Sequence, residues 1–326
     1  MSLLNFKPQF YIKNRHIQTI LSSKKKPIIG NMVQNEIAIT LTVKTDETVY
    51  LTGLFSPQPN QTAKGLIILL HGWLGCAQST YMLGRGEQLY QQGYEIFRLN
   101  LRDHGSTIGL NKGIFHGARL EEVFQAIKQI TANYSGLPTT LIGFSMGGSF
   151  ALRIGWRDSF ESQKISNLKQ IIAICPSVNP EQVTRAIDNS SIYRRYFIAR
   201  WKKNLIEKQR CFPRLYDFNT ILLQKKSWQM TEKLLIKYFE FKDIDAYFAE
   251  YHFSPEKLKA VCVPMTILTA EDDPVIPISG FNELKNINPL LKLHITHHGG
   301  HVGYIYNFRG DSWLDIILPE FMEVND

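Results

Sequence analysis

Residues 141–148 decide the fold of this chain, and they read Leu141-Ile142-Gly143-Phe144-Ser145-Met146-Gly147-Gly148. A short apolar run leads into one serine that stands between two glycines, and small residues typical of a helix start follow it. Glycines at these two places let a strand and a helix approach closely where the chain turns sharply and exposes the serine hydroxyl. The pattern therefore predicts a strand–turn–helix unit that presents Ser145 as a nucleophile.

The apolar pattern on both sides of this stretch predicts strands that alternate with helices. Strand patterns occur at residues 36–43, 49–55, 65–70, 94–99, 139–142, 170–175, 264–268 and 291–296. Helical periodicity covers residues 86–92, 118–130 and 313–322. This alternation is typical of the α/β class, with a mostly parallel central sheet flanked by helices.

The strand patterns stop between residues 179 and 258, where the chain becomes helical, aromatic and basic. We therefore predict a core built from residues 1–178 and 259–326, interrupted by a helical lid or cap at residues 179–258. Four aromatic side chains of this insertion are candidates to line a pocket or to pack beneath the cap: Phe197, Trp201, Phe212 and Trp228.

Composition predicts an ordinary globular protein. Of the 326 residues, 44% are hydrophobic and 20% are charged, and no apolar run approaches the ~20 residues that span a bilayer. The stretch Met1–Phe10 lacks the apolar region of a secretory signal. The four cysteines form no Cys-x-x-Cys pair and no disulfide framework. Together these features predict reduced thiols and a cytoplasmic location.

The net charge of +8 is concentrated in part of the predicted cap, most densely at Arg194–Lys203. One interpretation is attraction to an anionic substrate or peripheral contact with an anionic membrane or lipid. The other is the solvated face of an amphipathic helix whose aromatic residues point inward. No recognition motif accompanies the charge, so nucleic acid is not an expected partner.

The loops after the central strands hold residues suited to acyl chemistry, because open α/β sheets bind ligands at the carboxyl ends of their strands. His71-Gly72-Trp73 follows the third strand. In a serine hydrolase this loop and the residue after the nucleophile supply the two backbone N–H groups of an oxyanion hole. We assign these donors to Trp73 and Met146.

A serine hydroxyl needs a base to remove its proton, and histidine suits this role because its unperturbed pKa is about 6.5. Acidic residues follow the seventh strand, among them Asp272 and Asp273, and three histidines follow the last strand: His297, His298 and His301. The residues alone leave open which acid and which histidine act. No second ligand cluster with zinc spacing occurs, and the lysine of a phosphate loop is missing. We therefore expect neither a metal nor a cofactor.

The chain resembles the α/β-hydrolase superfamily, and within it the YheT-like esterase branch. The resemblance rests on Gly143–Gly148, on the motif Gly299-Gly300-His301-Val302-Gly303, on His16–Ile20, and on Leu99–Gly105. Arg15 stands where that branch usually has proline. The resemblance implies a Ser145, Asp273 and His301 triad. It also implies that His16 and Gln18 belong to a segment docked across the core, and that the Asp103-His104-Gly105 turn is structural.

This resemblance implies a cofactor-free serine hydrolase that cleaves small-molecule carboxylic esters, including lipid-like acyl esters, through an acyl-enzyme intermediate. Two alternatives remain open on the sequence. An acyltransferase would use the same triad with an alcohol in place of water, and a non-catalytic binding protein would keep the fold without the reaction.

Overall fold

The computed structural model describes residues 5–24, 30–59, 62–134 and 136–323, without the side chain of residue 323. Residues 1–4 belong to the N-terminal stretch in which no secretory signal is expected, and they lie outside the described residues. Residues 324–326, at the end of the predicted second part of the core, also lie outside them.

The described residues form an eight-stranded central sheet. Its strands are β1 (Ile37–Lys44), β2 (Thr48–Ser56), β3 (Leu66–Leu70), β4 (Glu95–Asn100), β5 (Thr139–Phe144), β6 (Leu168–Ile174), β7 (Met265–Ala270) and β8 (Leu291–Thr296). They lie in the order β1-β2-β4-β3-β5-β6-β7-β8. Strand β2 runs antiparallel to β1 and β4, and the remaining pairs are parallel. The predicted mostly parallel α/β sheet is confirmed.

Helices precede, connect and follow these strands. They are α1 (Arg15–Ser23), α2 (Asn31–Gln34), α3 (Thr80–Gln91), α4 (Leu120–Asn133), α5 (Met146–Asp158), α6 (Pro180–Asn189), α7 (Ser191–Cys211), α8 (Asn219–Leu222), α9 (Ser227–Tyr238), α10 (Ile244–Tyr251), α11 (Pro255–Lys259) and α12 (Leu314–Glu323). Two 3-10 turns lie at Phe10–Ile12 and Ile278–Leu284.

Apolar side chains cover both faces of the sheet, which explains the unbroken apolar run of β3. Leu66, Ile68 and Leu70 belong to a cluster that includes residues of α4 and α5. Ile67 and Leu69 belong to a second cluster that includes residues of α3 and α12. Because successive strand residues point to opposite faces, a strand covered on both sides has no polar positions.

Helices α6–α10 lie between β6 and β7 in the chain. The start of α6 is set by local signals: the Asn179 side chain accepts the Gln182 N–H at 3.0 Å, and Pro180 occupies the first turn. Part of this helical segment packs around an apolar cluster that includes Ile198, Leu205 and Met230. The same cluster includes Ile114, so the segment packs against the loop after β4 as well as within itself.

A buried ion pair connects α7 to the loop after β4. Lys208 Nζ donates to Asp103 Oδ1 at 2.7 Å, and also to the carbonyl oxygens of Asn111 at 2.6 Å and Gly113 at 3.0 Å. The two side chains are 0% and 1% exposed. Burial raises the pKa of Asp103 and lowers the pKa of Lys208, so each charge depends on its partner. The pair fixes the second half of α7 to the core.

We expect the substitution Lys208→Met to lower the free energy of unfolding by about 3–5 kcal/mol, because it leaves the Asp103 carboxylate buried without its counter-charge. Urea denaturation followed by circular dichroism measures this change. The control is Lys203→Met, which removes an exposed lysine from the same helix and should change stability by less than about 0.5 kcal/mol. Equal effects of the two substitutions would contradict the expectation.

Candidate active site

Ser145 lies at the sharp turn between β5 and α5. Its backbone has φ 55° and ψ −118°, in a region that residues other than glycine rarely occupy. A Cβ on Gly143 would lie 2.2 Å from the Gly147 carbonyl oxygen, and one on Gly147 would lie 2.3 Å from the Leu70 carbonyl oxygen. The two glycines are therefore required by the close approach of strand and helix, as the pattern around Ser145 predicts.

The structure brings Ser145, His301 and Asp273 into one hydrogen-bonded line. His301 Nε2 lies 2.9 Å from Ser145 Oγ, and His301 Nδ1 lies 2.9 Å from Asp273 Oδ2. The Asp273 side chain is fully buried and that of His301 is 12% exposed. Asp273 Oδ1 accepts the backbone N–H groups of Val275 at 2.7 Å and Ile276 at 2.9 Å. The carboxylate is thereby oriented toward the imidazole.

The other candidate acid and histidines lie outside this line. Asp272 Oδ1 accepts the backbone N–H of Gly300 at 2.9 Å, and its Oδ2 lies 3.5 Å from His298 Nδ1. His297 Nδ1 lies 2.6 Å from Glu271 Oε2. Each of the three histidines thus faces a different acidic residue.

The proposed oxyanion-hole donors are the backbone N–H groups of Trp73 and Met146. Met146 is the first residue of α5, where N–H groups have no partner within the helix. Within the described residues neither N–H donates a hydrogen bond. The assignment of these two groups to an oxyanion hole stays a prediction.

Two buried histidines and the partly buried Tyr81 hold the loop of Trp73. Tyr81 Oη accepts the Gly72 N–H at 2.8 Å. His71 Nε2 accepts the Leu101 N–H at 3.1 Å, and His104 Nε2 accepts the Leu74 N–H at 3.0 Å. Each histidine uses its Nδ1 toward a neighbouring backbone carbonyl. Both histidines belong to motifs noted in the sequence, His71-Gly72-Trp73 and Asp103-His104-Gly105, whereas only the spatial contact relates Tyr81 to the site.

Burial keeps the two histidines near this loop uncharged at neutral pH. It lowers the pKa of His71 to about 4 and the pKa of His104 to about 3. A neutral imidazole can accept a backbone N–H at one nitrogen while it donates at the other. Both rings therefore hold the backbone and leave the proton transfer to another group.

One group of potential metal ligands occurs among the described residues: Cys175, Asp273 and His301, with ligand atoms within 4.8 Å of one another. Burial raises the pKa of Cys175 well above its usual value, so the thiol stays protonated. A metal would require the thiolate. Two of the three residues are also engaged in the line to Ser145. The donor set fits a proton relay better than a metal site.

A cavity of about 460 Å³ opens beside Ser145. Aromatic and aliphatic side chains line much of it, including Val183, Ile187, Phe197, Trp201, Phe239 and Phe248. Phe197 stacks on Trp73 with ring centroids 5.4 Å apart, and Trp201 contacts the same ring edge-on at 5.0 Å. The helical segment α6–α10 therefore supplies much of the wall of the candidate site.

The four candidate aromatics of the predicted cap divide into two groups. Phe197 and Trp201 line the cavity. Phe212 packs against Tyr216, and Trp228 packs against Phe248 with the Arg185 guanidinium 4.0 Å from its ring. The second group packs within the helical segment.

Three residues that line the cavity are also strongly exposed to solvent. Ile20, Ile192 and Tyr196 line the cavity and are also 46%, 52% and 48% exposed. Arg194 and Arg195 belong to the same helix, α7, and Arg194 donates to the Asp188 carbonyl oxygen at 2.6 Å. Within the part of the chain that the structure describes, no lysine or arginine lines the cavity.

The parallel sheet, the turn at Ser145 and the adjoining cavity define a protein of the α/β-hydrolase fold. The chain belongs to the family described as "Serine aminopeptidase, S33", whose sequence profile matches residues 61–302. Among the described residues, no helix is both long enough and apolar enough to cross a bilayer.

Sequence and structural relatives agree with this assignment. YheT of Escherichia coli (strain K12) is 21% identical over 277 residues, which cover 82% of this chain and 79% of YheT. Phospholipase ABHD3 of Homo sapiens is 22% identical over 265 residues, covering 79% of this chain and 63% of the relative. The Pyrococcus furiosus esterase PF2001 superimposes with a TM-score of 0.59 at 17% identity, covering 93% and 94% of the two chains. The predicted YheT-like resemblance is confirmed, and the protein is a hydrolase.

Proposed function

We propose that the protein hydrolyses carboxylic esters of lipid-like acids through an acyl-enzyme formed on Ser145, with His301 as base and Asp273 as the orienting acid. The observation that carries the proposal is the line from Ser145 Oγ to His301 Nε2 at 2.9 Å, continued from His301 Nδ1 to Asp273 Oδ2 at 2.9 Å. Ester hydrolysis also agrees with the esterases and lipases among the relatives.

In the first step Ser145 Oγ bonds to the acyl carbon while its proton moves to His301 Nε2. The negative charge that develops on the carbonyl oxygen is stabilised by the N–H groups of Trp73 and Met146, and each such donor is typically worth about 3 kcal/mol. The ester bond then breaks, and His301 gives its proton to the departing alkoxide. Water bonds to the acyl carbon while His301 takes its proton. The bond from the acyl carbon to Ser145 Oγ then breaks, His301 returns the proton to Oγ, and the acid leaves.

Residues 179–258 form the lid in this proposal, between core parts 1–178 and 259–326. The apolar lining that α6, α7 and α10 contribute, together with Phe239, supports an acyl chain as the group bound there. The buried Lys208–Asp103 pair anchors the second half of α7. The first half of α7 is held as well, because Tyr193 Oη lies 2.9 Å from His16 Nδ1 and Arg194 donates to the Asp188 carbonyl oxygen at 2.6 Å.

The proposal is tested with p-nitrophenyl esters of increasing acyl length and with a fluorophosphonate label located by mass spectrometry. We expect the label on Ser145 and a kcat/KM that rises with chain length until the cavity is filled. Each buried methylene contributes about 0.8 kcal/mol, or about fourfold in kcat/KM at most. Val183→Phe narrows the cavity, so it should remove the preference for long chains and leave the acetate ester cleaved.

The matched control is Ile236→Phe, an apolar substitution at a side chain of α9 that is 87% exposed. It should leave the chain-length profile unchanged. A wild-type protein that cleaves none of these esters and takes no label would refute the proposed reaction. A profile that does not respond to Val183→Phe would refute the cavity as the acyl site.

A further inference from the structure

The loop that carries His301 has an unusual backbone. Gly300, Val302 and Tyr304 have φ values of 57°, 57° and 52°, so every second residue lies in the left-handed region. Valine and tyrosine are unfavourable there, because the Cβ crowds the backbone. A loop of this kind keeps its shape only when its surroundings hold it.

Helix α1 packs directly on this loop. A Cβ on Gly300 would lie 2.7 Å from the Arg15 carbonyl oxygen and 2.8 Å from Gln18 Cβ. A Cβ on Gly303 would lie 3.0 Å from Gln18 Cβ. The glycines beside His301 therefore leave the space that α1 occupies, which connects two motifs far apart in the sequence.

The Gln18 side chain holds the end of the loop. Its Nε2 donates to the Ile305 carbonyl oxygen at 2.8 Å, and its Oε1 accepts the Ile305 N–H at 2.7 Å. The same Nε2 donates to the Ile12 carbonyl oxygen at 3.0 Å. The side chain is fully buried, so its amide pairs with one loop residue as a neighbouring strand would.

The Thr19 hydroxyl contacts the histidine itself. Oγ1 donates to the Arg15 carbonyl oxygen at 2.8 Å and accepts the backbone N–H of His301 at 2.9 Å. Because the hydroxyl proton is used toward Arg15, a lone pair remains for His301. The hydroxyl therefore fixes the backbone from which the imidazole reaches Ser145 and Asp273.

We propose that Gln18 and Thr19 are positioning residues that hold His301 in line with Ser145 and Asp273. The inference rests on the proposed function of His301. It assigns a role to the His16–Ile20 motif, which the proposed reaction does not otherwise use. Neither side chain exchanges a proton with substrate; both act through the backbone of the loop.

The decisive variant is Thr19→Val, which keeps the shape of the side chain and removes its hydroxyl. We expect kcat for p-nitrophenyl butyrate to fall about 10- to 100-fold, because small displacements of a reacting group have effects of this size. KM should stay within about threefold. Thr19→Ser, which restores the hydroxyl, should return kcat to within about threefold of the wild type.

Ser159→Ala is the matched control. The Ser159 hydroxyl also bridges a helix carbonyl, that of Gly155 at 2.9 Å, and a distant backbone N–H, that of Cys262 at 3.1 Å. It lies at the opposite end of α5 from Ser145, roughly 20 Å away by the helix rise. A loss of kcat specific to Thr19→Val, at comparable melting temperatures, separates positioning from general destabilisation.

A spectroscopic readout distinguishes this inference from the proposed function. The protein is labelled with ¹⁵N-histidine for NMR, and the His301 signals are assigned by their loss in His301→Gln. These signals should shift or broaden in Thr19→Val and keep their positions in Ser159→Ala. This result does not depend on whether the protein turns over an ester. Gln18→Met removes the amide and should also lower kcat. If Thr19→Val does not fold, Gln18→Met takes its place as the test of the inference. Wild-type kcat and unchanged His301 signals in the folded variant would overturn the inference.

Discussion

Replacing Ser145 by alanine should lower kcat for p-nitrophenyl butyrate on the order of 10⁶-fold, as the loss of a serine nucleophile does in other triads. His301 and the proposed oxyanion-hole donors remain, but there is no serine oxygen for His301 to deprotonate, so no acyl-enzyme forms. Alanine removes one oxygen and keeps the Cβ, so the backbone at φ 55° is no more crowded than before. Initial rates measure the loss of turnover, and fluorophosphonate labelling measures the loss of the nucleophile. Thermal melting shows whether the fold is kept.

Ser149→Ala is the control for this variant. Ser149 lies one turn further along α5, and its buried Oγ has no hydrogen-bond partner among the described residues. Removing that oxygen should leave turnover and labelling at the wild-type level. A Ser145→Ala protein that keeps more than about a hundredth of the activity, or that still takes the label, would remove Ser145 from the proposed mechanism.

The strand patterns and the turn at Ser145 made the fold predictable from the sequence. Strand β3 is apolar throughout because both faces of the sheet are covered, and the glycines around Ser145 are required by a close backbone approach. Each of these constraints acts on a few consecutive residues, so it produces a pattern in the sequence from which the structure can be predicted.

The contacts that orient the site were not predictable, because they join residues far apart in the chain. Thr19 meets the backbone of His301, and Lys208 meets Asp103 inside the core. A threonine on a helix or a lysine in a basic segment looks the same in sequence whether it is exposed or buried. Only the family resemblance predicted that the His16–Ile20 segment packs against the core, and no spacing in the sequence indicated that it contacts the loop of His301.

The choice between Asp272 and Asp273 also depends on three-dimensional geometry. The two residues are adjacent in a loop, and both carboxylates contact the region of the histidines. The backbone directs one toward the Gly300 N–H and the other toward the His301 ring. Both positions carry aspartate, so residue type alone did not decide which of the two orients the histidine.

Asp273→Asn should lower kcat about 10⁴-fold while the fold survives. The asparagine Oδ1 can still accept the N–H groups of Val275 and Ile276, which hold the carboxylate now. Its NH₂ group then faces His301 Nδ1 and donates to it. The imidazole is left with its proton on Nε2, where it must instead accept the proton of Ser145.

The same substitution at the neighbouring position separates this effect from a general change in loop charge. In Asp272→Asn the asparagine oxygen can keep the hydrogen bond from Gly300, so kcat should fall by no more than a few fold. Steady-state kinetics on both variants, with melting temperatures to establish folding, make the comparison. Equal losses would mean that the negative charge of the loop, rather than the tautomer of His301, governs the rate. A larger loss in Asp272→Asn would assign the acid to Asp272, because only the acid that orients the imidazole controls which nitrogen carries the proton.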